Sequence, residues 1–276
     1  MVMSWKIKVL NYGWLKSPKS VFTPGVDTDV MMQAPYLGFL LQKNGQNVLV
    51  DTGINEKYIV NGRTRWGNCP AEGGTTYVLR ALEQENLTPE DIDMVLYTHL
   101  HNDHTGACAC FPHAETIFQK AEWENLLNPL PSQLYRNDYD QSVIDIFKKM
   151  ENVVMVDGDV ELGNGLKLYL TPGHTKGSMC IYVPTDDGPR LIVGDLFYAP
   201  YFLFPQDTDK FITMNGEERP ITPLPKEMGP ILTHFMIYDQ YAYYASYNKI
   251  RALMPAFEPK YFLYGHDSDL IAKGVQ

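Results

Sequence analysis

The 276-residue chain is 45% hydrophobic and 20% charged, the composition of an ordinary globule rather than of a fibre or a disordered tail. Its net charge of −10, with no lysine or arginine run, excludes an extended basic face and with it an ordinary nucleic-acid partner. No stretch approaches the roughly eighteen apolar residues that a membrane-spanning helix needs.

The N-terminal "MVMSWKIKVL" has too short an apolar stretch for a signal peptide, and Lys6 and Lys8 interrupt it. Then "WKIKVLNYG" reads as a strand. "YLGFLLQKNGQNVLVDTG" reads as two strands joined by a turn at Asn44-Gly45. Residues 75–86 carry apolar positions at helical spacing, Val78, Leu79 and Leu82. "IDMVLYT" is a short buried strand ending at Thr98. Residues 119–127 and 139–150 read as helices, the second with Val143, Ile146, Phe147 and Met150 on one face. "ENVVMVD", "LKLYLTPG", "SMCIYVP" and "RLIVGD" follow as strands. Residues 229–254 form the longest helical candidate, and "KYFLYGHD" closes with a last strand.

Strands alternating with helices suit a layered α/β sandwich with its site at the strand ends. The length allows one large domain or two small ones. With neither linker nor repeat, a single domain over 1–276 is expected, with a long aromatic- and proline-rich insert at about 199–230. Phe202 and Phe204 of that insert are natural candidates to wall an apolar pocket. Cys69, Cys108, Cys110 and Cys180 form no C-x-x-C pair, and Cys108 and Cys110 stand too close for an easy disulfide. Four reduced thiols in a cytoplasmic protein are expected.

The chemistry concentrates in "LYTHLHNDHTG". Three of only seven histidines, with an aspartate, occupy His99, His101, Asp103 and His104, on the loop leaving a strand. Imidazole and carboxylate are ligands for zinc, manganese or iron. Four ligands this close exceed what one ion needs and suggest two ions. Three more candidate ligands end three later strands: His174 in "LTPGHTKGS", Asp195 in "LIVGD" and His266 in "YFLYGHD". A lone carboxylate at the end of an apolar strand is costly unless paired or bound to metal. Asp51, in "VLVDTG", is a candidate to support a ligating histidine from behind. His113 and His234 lie outside this pattern and read as surface or satisfied histidines.

H-x-H-x-D-H, then the histidine of "PGHTKGS", the aspartate of "GD" and the histidine of "GH" resemble the signature of metallo-β-lactamase-fold hydrolases. With "VLVDTG" the resemblance runs from about residue 35 to 266. It implies a four-layer αββα sandwich. It places His99, His101 and His174 on one metal ion, Asp103, His104 and His266 on a second, and Asp195 between them. The implied cofactors are two divalent ions, zinc first, with iron or manganese as alternatives, and they would hold a hydroxide that attacks a carbonyl.

Asp195 stands where antibiotic-hydrolysing members carry cysteine, and His101 where flavodiiron-type proteins carry glutamate. Tyr198, three residues after Asp195, matches a tyrosine offset of the N-acyl homoserine lactonases, where it stabilises the oxyanion. "AYYASYNKIRAL" is also similar to lactonases at that place. The basic tail expected of a glyoxalase II-like thioesterase is not found in the ten residues after His266. The resemblance therefore implies a dinuclear metal-dependent hydrolase of a lactone or carboxylic ester, with Asp103 and Tyr198 as catalytic residues. The seventy residues between Asp195 and His266 depart from the small lactonases and leave the acyl group open. A thioesterase or phosphoester hydrolase on the same metals is the alternative, and a non-catalytic metal-binding protein a third reading. The expected partner is a small molecule with an apolar portion and at most a second copy of the chain, with neither nucleic acid nor membrane.

Overall fold

A computed structural model describes residues 4–23, 25–65 and 67–275. Two sheets dominate it. The first contains β1 (Lys6–Pro18), β2 (Met31–Lys43), β3 (Gln46–Val50), β4 (Ala71–Gly73), β5 (Met94–Leu96), β6 (Glu115–Gln119) and β7 (Val153–Val156), in the order β4-β1-β2-β3-β5-β6-β7. The second contains β8 (Val160–Glu161), β9 (Lys167–Leu170), β10 (Met179–Val183), β11 (Arg190–Gly194) and β12 (Phe262–Tyr264), in sequential order. The β2–β3 turn at Asn44-Gly45 has positive φ at both residues, 54° and 80°, which matches the right-handed twist of the strands it joins.

Side chains alternate along each strand, so each sheet has two apolar faces to cover. Phe39, Leu41, Val48, Val50, Met94 and Leu96 of the first sheet share a core with Leu168, Met179, Ile181, Ile192 and Leu263 of the second. The intervening residues Leu40, Leu49, Val95 and Phe118 point outward. They meet Val78 and Leu82 of α1 (Thr75–Gln84), Leu126 of α2 (Lys120–Leu127) and Phe147 of α3 (Val143–Phe147). On the far side Leu191, Val193, Phe262 and Tyr264 meet Tyr243, Tyr247 and Ile250 of α4 (Gln240–Leu253). The result is four layers, αββα, as expected.

The late helix is shorter than its sequence pattern. It starts at Gln240 rather than near 229, capped by Asp239, whose side chain accepts the Ala242 N–H at 3.0 Å. Residues 229–239 turn their backbone to other partners. Leu232 N–H donates to Phe202 O at 2.8 Å, and Tyr238 N–H to Gly173 O at 2.8 Å. Tertiary pairing overrides helical propensity there, and His234 therefore lies on an irregular strap.

The proline-rich segment is also not a plain loop. It holds a short helix, Pro200–Leu203, and a hairpin of Lys210–Ile212 with Glu218–Pro220. Thr222 Oγ1 donates to Asp27 Oδ1 at 2.7 Å, and Asp27 also pairs with Lys19 Nζ at 2.9 Å. Phe202 and Phe204 are buried in the core outside the second sheet. The expectation that they wall the pocket is overturned, because their aromatic surface covers the sheet. Phe204 packs against Phe257 at 4.8 Å and Phe262 at 5.9 Å between ring centroids. Phe204→Ala should lower stability in urea unfolding by about 3–5 kcal/mol. A loss below about 1 kcal/mol would show that this segment rests only loosely on the sheet.

Candidate metal centre

Strand direction gathers the site. β3 and β5 are parallel neighbours, with Val50 opposite Leu96, so Asp51 and the segment Thr98–His104 leave one edge side by side. β11 and β12 are also parallel, with Gly194 opposite Tyr264, which brings Asp195 next to Gly265 and His266. β9 runs antiparallel to β10, and β10 to β11, so β9 points the same way as β11 and delivers His174 to that edge. The Met179 N–H donates to Thr98 O at 2.8 Å and joins the two sheets there. The approach is close enough to require glycine: a Cβ on Gly194 would lie 2.7 Å from the Thr98 side chain.

All seven residues singled out in the sequence come together, six of them buried and Asp103 half-buried. Their hydrogen bonds fix which nitrogen faces inward. His174 Nδ1 donates to Met236 O at 2.9 Å, and His266 Nδ1 to Pro35 O at 2.7 Å. His104 Nδ1 donates to Asp51 Oδ2 at 2.8 Å. Thr98 gives its hydroxyl proton to Asp51 Oδ2 at 2.7 Å, so its oxygen accepts from His99 Nδ1 at 3.1 Å. In all four rings Nε2 is left as the inward lone pair.

These lone pairs crowd together. His174 Nε2 lies 3.2 Å from His99 Nε2 and 3.0 Å from His101 Nδ1. Asp195 Oδ2 is 3.1 Å from His266 Nε2 and 3.6 Å from His174 Nε2, and Oδ1 is 3.3 Å from His104 Nε2. Asp103 reaches to 3.9 Å from His104 Nε2 and 3.8 Å from His266 Nε2. His104 Nε2 and Asp195 Oδ1 are buried with no hydrogen-bond partner. Lone pairs and carboxylates buried face to face repel unless a positive charge lies among them. Three triads have ligand atoms within 4.8 Å of one another: His99/His101/His174, His99/His104/Asp195 and Asp103/His104/His266. The donor set is nitrogen and carboxylate oxygen, which fits a divalent metal such as zinc.

Electrostatics agree. Burial, then neighbouring histidines, push His99 well below the ordinary histidine range, and burial lowers His101 likewise and His174 to about 4. These rings are neutral and free to ligate. Burial also opposes charge on His104 and His266, but the surrounding carboxylates together outweigh it and raise both: Asp195 and Asp103 for each, with Asp51 added at His104. The pocket favours positive charge at those Nε2 positions, and a proton or a metal ion can supply it.

Asp51 adopts φ 59°, the left-handed region that aspartate tolerates better than most residues. Its Oδ1 accepts the Thr98 N–H at 2.8 Å, while Oδ2 holds His104. His113 is exposed and apart from the site. His234 is satisfied, as expected, but it is buried against the site. Its Nδ1 accepts the Met236 N–H at 3.3 Å, its Nε2 donates to the Asp195 carbonyl at 3.2 Å, and its ring centroid lies 4.2 Å from that of Tyr198. No spacing in the sequence marks it.

A cavity of ≈ 140 Å³ opens on Asp103, Asp195, His266 and Tyr198. Leu15, Val21, Phe22, Ile54 and Phe235 supply apolar wall, and Asn102, Arg136 and Asp138 a polar margin. The lining includes no residue of 199–230.

Residues 36–266 match the metallo-beta-lactamase superfamily, and the chain belongs to that family. Among its relatives, the N-acyl homoserine lactonase AiiA of Bacillus thuringiensis subsp. kurstaki is 28% identical over 190 residues, 66% of this chain and 70% of that one. A solved N-acyl homoserine lactone hydrolase, with N-hexanoyl-L-homoserine bound at its catalytic metal center, superposes with a TM-score of 0.70 at 21% identity, covering 96% of this chain and 94% of the other. AidC, a dizinc quorum-quenching lactonase, gives 0.68 at 17% identity, covering 96% and 88%. The two structural matches speak for the fold. No helix among the described residues is long and apolar enough to cross a membrane.

Asn tolerates the left-handed region as Asp does, so Asp51→Asn should fold normally by circular dichroism. With the carboxylate behind His104 gone, zinc affinity should fall roughly tenfold to hundredfold in a chelator competition. Wild-type affinity in the variant would reduce Asp51 to a tie for the Thr98 backbone.

Proposed function

We propose that the protein hydrolyses a lactone or carboxylic ester with an apolar acyl portion, in the manner of an N-acyl homoserine lactonase, at a two-metal centre. His99, His101 and His174 would hold one ion, Asp103, His104 and His266 the other, with Asp195 shared. Membership of a family whose relatives include lactonases makes the chain a metal-dependent hydrolase. The observation that carries the finer reading is Tyr198, which lines an apolar cavity together with Asp195 and His266.

When bound, a pair of divalent ions lowers the pKa of water toward neutrality and polarises a carbonyl. The chain's own groups do the rest. Burial, then the Asp195 and Asp103 carboxylates, push the Tyr198 hydroxyl well above the ordinary tyrosine value, so it stays protonated and donates. Its ring is held edge-on by Phe22 at 5.8 Å and Phe202 at 5.5 Å between centroids, which fixes where that donor points. Tyr198 is thereby placed to hydrogen-bond the carbonyl oxygen as negative charge builds there. Asp103 alone of the seven has a side chain partly open to the cavity, 23% exposed, and is placed to pass a proton to the leaving alkoxide. Val21, Phe22 and Phe235 would take the acyl chain, each buried methylene contributing about 0.8 kcal/mol.

Tyr198→Phe keeps the ring and deletes the hydroxyl. On the best substrate of a panel of lactones, thioesters and phosphoesters, kcat should fall roughly tenfold to hundredfold with metal content unchanged. Wild-type kcat on that lactone would remove Tyr198 from the chemistry. A thioester turned over faster than any lactone would move the assignment to the thioesterases.

A further inference from the structure

Glu122 lies in the first turn of α2 and is completely buried, yet neither the sequence pattern nor the proposed reaction uses it. Four donors converge on its carboxylate. Oε1 accepts the Leu100 N–H at 3.1 Å and the Tyr139 hydroxyl at 2.8 Å. Oε2 accepts the Thr175 hydroxyl at 2.6 Å and the Gly177 N–H at 3.0 Å. The direction of the Thr175 bond follows from its neighbour. Ser178 Oγ accepts the Thr175 N–H at 2.9 Å and lies 2.6 Å from Thr175 Oγ1, so Ser178 donates to Thr175 and Thr175 to Glu122. Burial pushes Glu122 above the ordinary carboxylate range, and these bonds offset only part of that rise. The two backbone donors, Leu100 and Gly177, cannot accept a proton in return, and the Tyr139 hydroxyl also lies 3.0 Å from Asn125 Oδ1.

Three of the four donors belong to segments that carry a histidine of one triad, and the fourth, Tyr139, packs on one of those histidines. Leu100 lies between His99 and His101. Tyr139 pairs with His101 across an isolated bridge, their rings 4.8 Å apart. Thr175 follows His174 directly. Gly177 brings that loop onto α2 so closely that a Cβ there would lie 2.2 Å from the Glu122 nitrogen. An apolar side chain could fill the same volume without a charge to bury. What a carboxylate adds is simultaneous anchorage of two loops from different sheets.

We propose that Glu122 is a positioning residue for the His99/His101/His174 half of the centre, locking the two loops that bear these histidines at one separation. The inference rests on the metal reading of the site. The test is zinc affinity of the purified protein, measured by competition with a chromophoric chelator, together with the absorption of cobalt(II)-loaded protein. Wild type must first bind zinc. If it does not, the metal reading itself fails, before any variant is made. In Glu122→Gln the amide nitrogen cannot accept two of the four donated protons. One zinc equivalent should weaken roughly tenfold to hundredfold, the other should be unchanged, and the cobalt d–d bands of one equivalent should shift. Tyr139→Phe and Thr175→Val each remove one donor and should weaken the same equivalent by less. They also decide the matter if Glu122→Gln does not fold. Wild-type affinity for both equivalents, with only a lower melting temperature, would make Glu122 a structural tie and overturn the proposal.

Discussion

The site depends on inward-facing lone pairs that cannot coexist without a positive charge. Four imidazoles each give their ring proton to an outward acceptor: Thr98, Asp51, Met236 O and Pro35 O. Their remaining nitrogens then face one another and Asp195, and among them His104 Nε2 and Asp195 Oδ1 have no hydrogen-bond partner. Leaving such groups buried and unmatched costs of order 1–3 kcal/mol each, more where charged. Such an arrangement of nitrogen and carboxylate donors is suited to a divalent cation.

The architecture follows from that need. Parallel pairing within each sheet brings the ligand-bearing ends to one edge, and close approach at Gly194 and Gly177 lets segments of the two sheets interlock. The outward hydrogen bonds go to strand ends, to Pro35 within β2 and to the strap before α4, so the candidate ligands are oriented by the most regular part of the fold and by one irregular segment. That strap also carries Phe235 and His234, which ties the pocket wall to the same framework as the ligands.

Ligand identity was legible in the sequence because His and Asp are scarce at the ends of apolar strands, and seven such positions are hard to explain by burial alone. The layers were legible because alternation in "FLL", "VLV" and "MVL" sends Phe39, Val48 and Met94 one way and Leu40, Leu49 and Val95 the other. Segments whose backbone pairs far away were not legible. Residues 229–239 carry helix-like content, yet their hydrogen bonds go to Phe202 and Gly173. Phe202 and Phe204 announced burial but not the face they cover. Glu122 was invisible because its donors lie 17 to 55 residues away, and two of them are backbone N–H groups that any residue supplies.

The pocket adds selectivity to a centre shared across the superfamily. Leu15, Val21, Phe22, Ile54 and Phe235 give its cavity apolar walls, with Tyr198 and the half-buried Asp103 beside them. The most direct measurement is zinc content and lactone hydrolysis on the same samples, before and after dialysis against a chelator and again after zinc is restored. The account predicts two equivalents per chain, turnover that disappears with the metal, and recovery on reloading. Lactone hydrolysis that survives complete metal removal would contradict it.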